Sequence, residues 1–559
     1  MQEPNDALTR PVTGSASQAE ARVNRRPRPI RATGEVCLIV SVALVTAVLV
    51  GYSTAWSPWA FSDSAAYLAV GANVADGTGL GVLSPSGRFR PLTHYPPLYP
   101  LALSGPIALG ASPLDSARWL GVASAISLVG MAGILMRAAT RSGLVAALAA
   151  LVLVSSPVLM FTHTGAMSES LCIALGTTSL LLVALDVEDQ RSARLLLAGV
   201  LAGLAAITRY AGIAYALAGG LAVLVLEKGS LGSRLRGLLM FAASALGPVL
   251  LWFFWVAAIG EPARVYRFEA WPSWPALQVF REHVLDIVWR WLPIVGAETP
   301  PAYRARQYAA AGAALALAAL SILTQLRGRD RQTEAGRSGA VRLTIVWMLF
   351  VGAYLVVLAG TWLYAIPGPD LNDRVLSPLV PALVIALLAS LWLMRWVLGP
   401  RAAVTLVSIA AGLMVWAWAP STLAVAQHLH EDGLGYSSRA WRTSPTLAAI
   451  LTVPADVALI SNEPSAVLLN TGRFPYDVSE RYRSEPLDAP GRFGDDLGDP
   501  GQVAFRAGGR LVLFHTLYWQ LHPLYGDRTS DRLEVLTAGL VLVQAFPDGA
   551  IYAYPEEDG

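Results

Sequence analysis

Six ionisable residues stand out by type and setting: Asp63, His94, Glu169, Arg209, Asp373 and Arg374, each in or beside a short polar break between long apolar runs. A carboxylate among them is suited to taking a proton from an incoming hydroxyl, and fixed cations are suited to stabilising a departing phosphate. Arginine fits the second task because its planar fork matches phosphate oxygens. Tyr67, Tyr95 and Tyr210 sit next to these residues and are candidates for positioning a substrate. With the topology derived below placing these breaks on one side, the inventory points to a site with an acid and two arginines at the outer face of a membrane.

The stretch from Ala60 to Leu103 carries two of the six and is too polar to span lipid yet too apolar to float free. Ser62 reads as a helix N-cap with Asp63 in the first turn, where a carboxylate is favoured by the helix dipole, and Asp63 and Tyr67 share a face at i, i+4. The local pattern alone also allows Asp63 to be no more than a helix-start acid. Glycines 77, 79 and 81 end the helix, and Pro96, Pro97 and Pro100 stiffen the return.

The elements that must hold these residues are membrane helices. The 559 residues are 54% hydrophobic and only 14% charged, against roughly 25% charged in soluble domains. The net charge of +2 is spread in short clusters, which removes nucleic acid as a partner. Cys37 and Cys172 both fall in apolar runs and read as packing residues. Lys228 is the only lysine among many arginines, a composition that suggests a GC-rich bacterial genome.

Residues 1–34 read as a cytoplasmic disordered basic tail with Arg22, Arg25, Arg26, Arg28 and Arg31. The run 35–55 is too long for a signal-peptide core and reads as a retained helix, which places the loop 56–113 outside. Spans at 114–136, 144–161 and 170–187 follow, with basic residues on the inner side. The apolar run 195–226 is flanked by inner basic residues at both ends and broken by Arg209 and Tyr210. Two full spans need roughly 40 residues, so a hairpin of short helices is expected, with Arg209 near the outer interface; one tilted span is the alternative. Spans at 237–259, 308–326, 343–365, 375–396 and 402–419 complete about eleven. The segment 260–307 carries Trp271, Trp274, Trp289 and Trp291, as in an interfacial belt.

From 422 to 559 the pattern changes to short β-rich runs, DVALISN, RLVLFHT, LVLVQAF and AIYAYP, with a helical stretch near 445–451. This reads as an extracytoplasmic α/β domain. No glycine-rich phosphate loop follows any strand, and His428, His430, His515 and His522 lack metal-ligand spacing. The expected architecture is thus a polytopic all-α membrane domain over 35–421 followed by this domain, in a bacterial cytoplasmic membrane with the N-terminus inside.

Several short motifs occur in an order that resembles membrane glycosyltransferases of the C-type fold. The resemblance is to bacterial relatives of dolichyl-phosphate-mannose protein mannosyltransferases and of the aminoarabinose transferases that modify lipid A. They are SDSAAY followed by ADGTGL, THYPPLYPLAL, GAMSESL, GLAAITRYAGI and NDRVLSPLVPAL. The resemblance implies transfer of a sugar from a polyprenyl-phosphate donor to a hydroxyl acceptor on a protein, lipid or envelope glycan. It implies Asp63 as catalytic base, Arg209 and Arg374 at the donor phosphate, and Glu169 in a structural or substrate-positioning role. Tyr67, His94, Tyr95, Tyr210 and Asp373 are further substrate-positioning candidates. The family often has a second acid near the first; here Ser64 and Ala65 follow Asp63, which leaves a divalent metal open. The competing reading is a transporter or flippase of a lipid-linked or anionic substrate, with Arg209 in a broken helix pair as its site.

Overall fold

The computed structural model describes residues 29–189, 192–227, 230–259, 265–266, 273–291, 334–366, 369–478, 493–494 and 498–555. The basic residues 22–28 of the tail, the run 308–326 and the inner loop up to 333 lie outside them. Among the described residues six helices are long and apolar enough to cross a membrane, and seven if one bent pair counts as a span. The chain is a multi-pass membrane protein.

Helix α1 (Pro29–Ser53) begins inside the segment 1–34 that the sequence assigns to the tail, so the helical part starts earlier than expected. The loop after it holds α2 (Ser62–Ala75), a hairpin of β1 (Gly81–Leu83) and β2 (Phe89–Pro91), and α3 (Leu98–Ala108), which opens after Pro97. Then come α4 (Pro113–Thr140), the 66° bent pair α5 (Gly143–Val154) and α6 (Pro157–His163), and α7 (Glu169–Asp189). Ser112, Ser142 and Ser156 cap three of these helices by accepting backbone N–H bonds, the role expected of serine at an N-cap.

The run interrupted by Arg209 forms the hairpin. Helix α8 (Ser192–Thr208) and α9 (Ile213–Leu226) are joined by extended Arg209 and a single 3₁₀ turn. At 1.5 Å per residue they are roughly 25 and 21 Å long, each short of the ~30 Å of hydrocarbon. Helix α10 (Leu231–Ile259) packs on α8 through Gly199 and Gly203, spaced four apart as in small-residue helix contacts. A Cβ at Gly203 would lie 2.2 Å from the Ala245 carbonyl oxygen. Gly203→Val is therefore expected to lower stability by about 1–3 kcal/mol through overpacking, read as a reduced Tm of the detergent-solubilised protein; an unchanged Tm contradicts the contact.

Helix α11 (Trp274–Arg290) buries Phe280, Val284 and Ile287 and exposes Trp274, consistent with an interfacial position. Helices α12 (Glu334–Tyr364), α13 (Asp373–Leu376), α14 (Leu379–Leu393) and α15 (Pro400–Glu431) complete the helical part. One core, including Ile39, Leu128, Leu180, Tyr215, Trp347 and Leu376, runs through it. At one end Arg137 Nε lies 2.7 Å from Glu35 Oε2 and Arg342 donates to the Ala184 carbonyl at 2.8 Å. The candidate site lies at the other end.

Beyond α15 the chain forms a five-stranded sheet from β3 (Leu459–Ser461), β4 (Tyr476–Asp477), β5 (Arg510–Phe514), β6 (Val541–Phe546) and β7 (Gly549–Ala553), in the order β4-β3-β5-β7-β6. Strand β3 is parallel to β4 and β5, whereas β7 is antiparallel to β5 and β6. Ile460, Leu511, Phe505, Leu521 and Leu536 form its main core. The sheet region is tied to the helical part at Gly435: a Cβ there would lie 2.2 Å from the Ala60 carbonyl, and its φ of +65° favours glycine. Tyr436 N–H donates to that carbonyl at 2.7 Å, and its hydroxyl donates to Glu463 at 2.9 Å.

Candidate active site

The site begins with Trp59, which fixes the start of α2. Its backbone N–H donates to Thr164, Ala166 N–H donates back to Trp59, and its indole donates to the Phe161 carbonyl at 2.9 Å. Gly165 leaves the room this needs, since a Cβ there would meet the Trp59 ring at 2.3 Å. The loop bearing Asp63 is thereby locked to the loop that leads into Glu169. Helix α2 is capped differently from the sequence expectation: Phe61 is the extended N-cap residue, Ser62 is the first helical residue, and Ser64 Oγ accepts the Phe61 N–H at 3.1 Å. Asp63 stays in the first turn.

Asp63 meets two partners. Tyr95 donates its hydroxyl to Oδ1 at 2.8 Å, and Arg374 Nη1 stands 3.6 Å from Oδ2. His94, adjacent in sequence, packs its ring edge-on against Tyr95, with centroids 4.7 Å apart. Tyr67 is buried below, with edge contacts to Tyr95 and Tyr99 and its hydroxyl 3.4 Å from Ser168 Oγ. Burial pushes the Tyr67 phenol well above its usual range, so it stays protonated.

Glu169 is the hub. Only 1% exposed, it takes Arg209 Nη1 at 2.8 Å and Arg374 Nε at 3.1 Å on the same oxygen, Oε1. Two guanidinia so close repel one another, and the shared carboxylate holds them together. Arg374 therefore bridges Glu169 and Asp63. The turn that presents it, α13, is N-capped by Asn372, whose side chain accepts the Val375 N–H at 3.0 Å, while Asp373 accepts the Trp291 indole N–H at 2.7 Å.

These groups converge on a cleft of about 610 Å³ lined by Asp63, Tyr67, His94, Tyr95, Arg209, Tyr210, Asp373 and Arg374. Asp370 lines it too, an acid that residue type alone gave no reason to separate from its neighbours. Tyr210, which accepts the Trp252 indole N–H at 3.3 Å, also borders a second cavity of about 430 Å³. That cavity is walled by Ile207, Ile213, Val249, Phe253, Val256 and Val357 and shares Thr361 with the cleft. Nothing in the sequence distinguishes these residues from ordinary lipid-facing ones.

Around Asp63 the polar neighbours are a phenol hydroxyl on Oδ1 and a guanidinium 3.6 Å from Oδ2. Among the described residues no group of three or more His, Cys, Asp or Glu side chains is gathered to hold a metal. Cys37 is exposed and Cys172 buried, both as free thiols.

The fold and cleft define a multi-pass membrane protein with an acid and two arginines joined at one end of its helices. Residues 94–252 match the family model of the dolichyl-phosphate-mannose-protein mannosyltransferases, a family to which the sequence motifs are similar. The matched segment includes His94, Tyr95, Glu169, Arg209 and Tyr210. No curated protein matches the chain. Among solved structures, the chain is similar to ArnT from Cupriavidus metallidurans bound to undecaprenyl phosphate, at 15% identity over 94% of this chain and 99% of that one, with a TM-score of 0.47. It is similar to the Archaeoglobus fulgidus oligosaccharyltransferase AglB in complex with an inhibitory peptide and a dolichol-phosphate, at 12% identity over 93% and 74%, with a TM-score of 0.46. It is also similar to the mycobacterial arabinofuranosyltransferase AftD, at 16% identity over 93% of this chain and 42% of that one, with a TM-score of 0.48.

Proposed function

We propose that the protein is a membrane glycosyltransferase that moves a sugar from a polyprenyl-phosphate donor to a hydroxyl acceptor at the outer face of the membrane. The observation that carries this reading is Arg374, placed between the candidate base Asp63 and the Glu169–Arg209 pair in one cleft. The family match over residues 94–252 supports the same class.

In this mechanism the acceptor hydroxyl gives its proton to Asp63 Oδ2 while its oxygen attacks the anomeric carbon. The bond from that carbon to the phosphate oxygen breaks, with inversion as the simplest outcome of one displacement. Tyr95 holds Oδ1 and so aims Oδ2 at the acceptor. Charge moves consistently with this. The four groups Asp63, Glu169, Arg209 and Arg374 sum to zero when all are ionised; protonating Asp63 leaves them one positive charge in excess as the phosphate gains one negative charge. Arg374, released from Asp63, is then available to the departing phosphate. The apolar cavity beyond Tyr210 suits the first isoprene units of the donor, entering sideways from the outer leaflet. The sheet region beyond α15 borders the acceptor side through Tyr436 and Phe61.

Undecaprenyl phosphate, the product expected of a C55 donor, is accordingly predicted to inhibit transfer competitively against the donor. Arg209→Ala is expected to weaken that inhibition about tenfold, the loss of one charge-assisted contact. Equal inhibition of both proteins contradicts the assignment of Arg209 to the phosphate.

A further inference from the structure

We infer that Trp291 and Asp373 form a strut that positions Arg374, so that Asp373 acts on the reaction through its neighbour instead of on the substrate; this rests on the function proposed above. Helix α13 is a single turn and cannot fix its own direction. Three contacts fix it: the Asn372 cap, a hydrogen bond from the Tyr354 hydroxyl to the Val375 carbonyl, and the 2.7 Å bond from the Trp291 indole to Asp373 Oδ1. Trp291 is itself anchored. It is 8% exposed, and its carbonyl accepts the indole N–H of Trp418, on α15, at 2.6 Å.

A continuous path therefore runs from α15 through Trp418 and Trp291 to Asp373, and the next residue in the chain is Arg374. Arg374 must reach Glu169 at 3.1 Å and Asp63 at 3.6 Å at once, through a side chain with four rotatable bonds. Fixing its backbone is what makes that double reach geometrically stable. Asp373 lines the cleft, but one of its two oxygens is already committed to the indole. The segment carrying Trp291 is thus more than an interfacial anchor: its last described residue sets the bearing of a guanidinium in the cleft.

Two measurements test this, one independent of catalysis. Hydrogen–deuterium exchange of the peptide covering residues 373–377 should be faster in Trp291→Phe and in Asp373→Ala. Asp373→Asn, whose Oδ1 still accepts the indole bond, should restore most of the protection. In transfer assays the two disruptive variants should raise KM for the polyprenyl-phosphate sugar about tenfold while changing kcat less than about threefold. Their double mutant should be no worse than either alone, and Asp373→Asn should recover most of the donor KM. Unchanged exchange in Trp291→Phe overturns the strut. So does an Asp373→Asn variant as impaired as Asp373→Ala, which would put the charge of Asp373 on the substrate. Faster exchange with an unchanged donor KM leaves the strut standing and instead contradicts the assignment of Arg374 to the donor phosphate.

Discussion

Asp63→Asn is expected to lower sugar transfer by roughly 10²- to 10⁴-fold, the usual contribution of a positioned general base. Asparagine keeps the size of the side chain and can still accept the Tyr95 hydroxyl at Oδ1, so the folded protein should survive with little change in Tm. It has no basic oxygen for the acceptor proton. Donor binding should persist within a few fold, because the Glu169–Arg209 pair does not touch Asp63. Full activity in this variant would remove Asp63 from the mechanism. Loss of donor binding together with activity would mean that Asp63 acts mainly by holding Arg374.

Glu169→Gln should be damaging in a different way, because it strips the counter-charge from two neighbouring guanidinia. Breaking a buried ion pair by removing one partner typically costs about 3–5 kcal/mol, and here the carboxylate is 1% exposed. The variant should therefore lose both folded yield and activity. Removing one of the stranded cations should relieve the first effect alone. Glu169→Gln combined with Arg209→Gln is expected to be more stable than Glu169→Gln while remaining inactive, as measured by thermal unfolding and by transfer assay. If the double variant is no more stable than the single one, Glu169 is not the shared counter-ion that its contacts describe.

How much of this was legible in the sequence differs from element to element. The hairpin around Arg209 was readable because the apolar run falls short of two full spans while basic residues on both flanks favour a chain that turns back; the structure has the hairpin and not the alternative of one tilted span. The four longer strands of the sheet were readable as short β-rich runs, whereas β4, with two residues, is too short to carry a pattern. The candidate residues were found by type and sidedness, but their pairing was not. That Glu169 serves both arginines depends on how α7, α8 and α13 meet, which no local spacing encodes. The bond from the Tyr95 hydroxyl to Asp63 was hidden for a similar reason: in a proline-rich loop without a period, neighbouring side chains point in unrelated directions. Trp291 was visible only as one tryptophan of an interfacial belt, since its carbonyl and indole contacts are tertiary.

The most direct test of the central claim is to follow the donor's lipid during turnover. Purified protein would be incubated with a panel of radiolabelled polyprenyl-phosphate sugars and with host membranes as acceptor source, and both products counted. One free polyprenyl phosphate should appear for each sugar transferred, for the sugar that the protein uses, and both should vanish together in Asp63→Asn. Sugar transfer that proceeds without release of polyprenyl phosphate, or lipid-linked sugar that crosses the bilayer intact, would contradict the account.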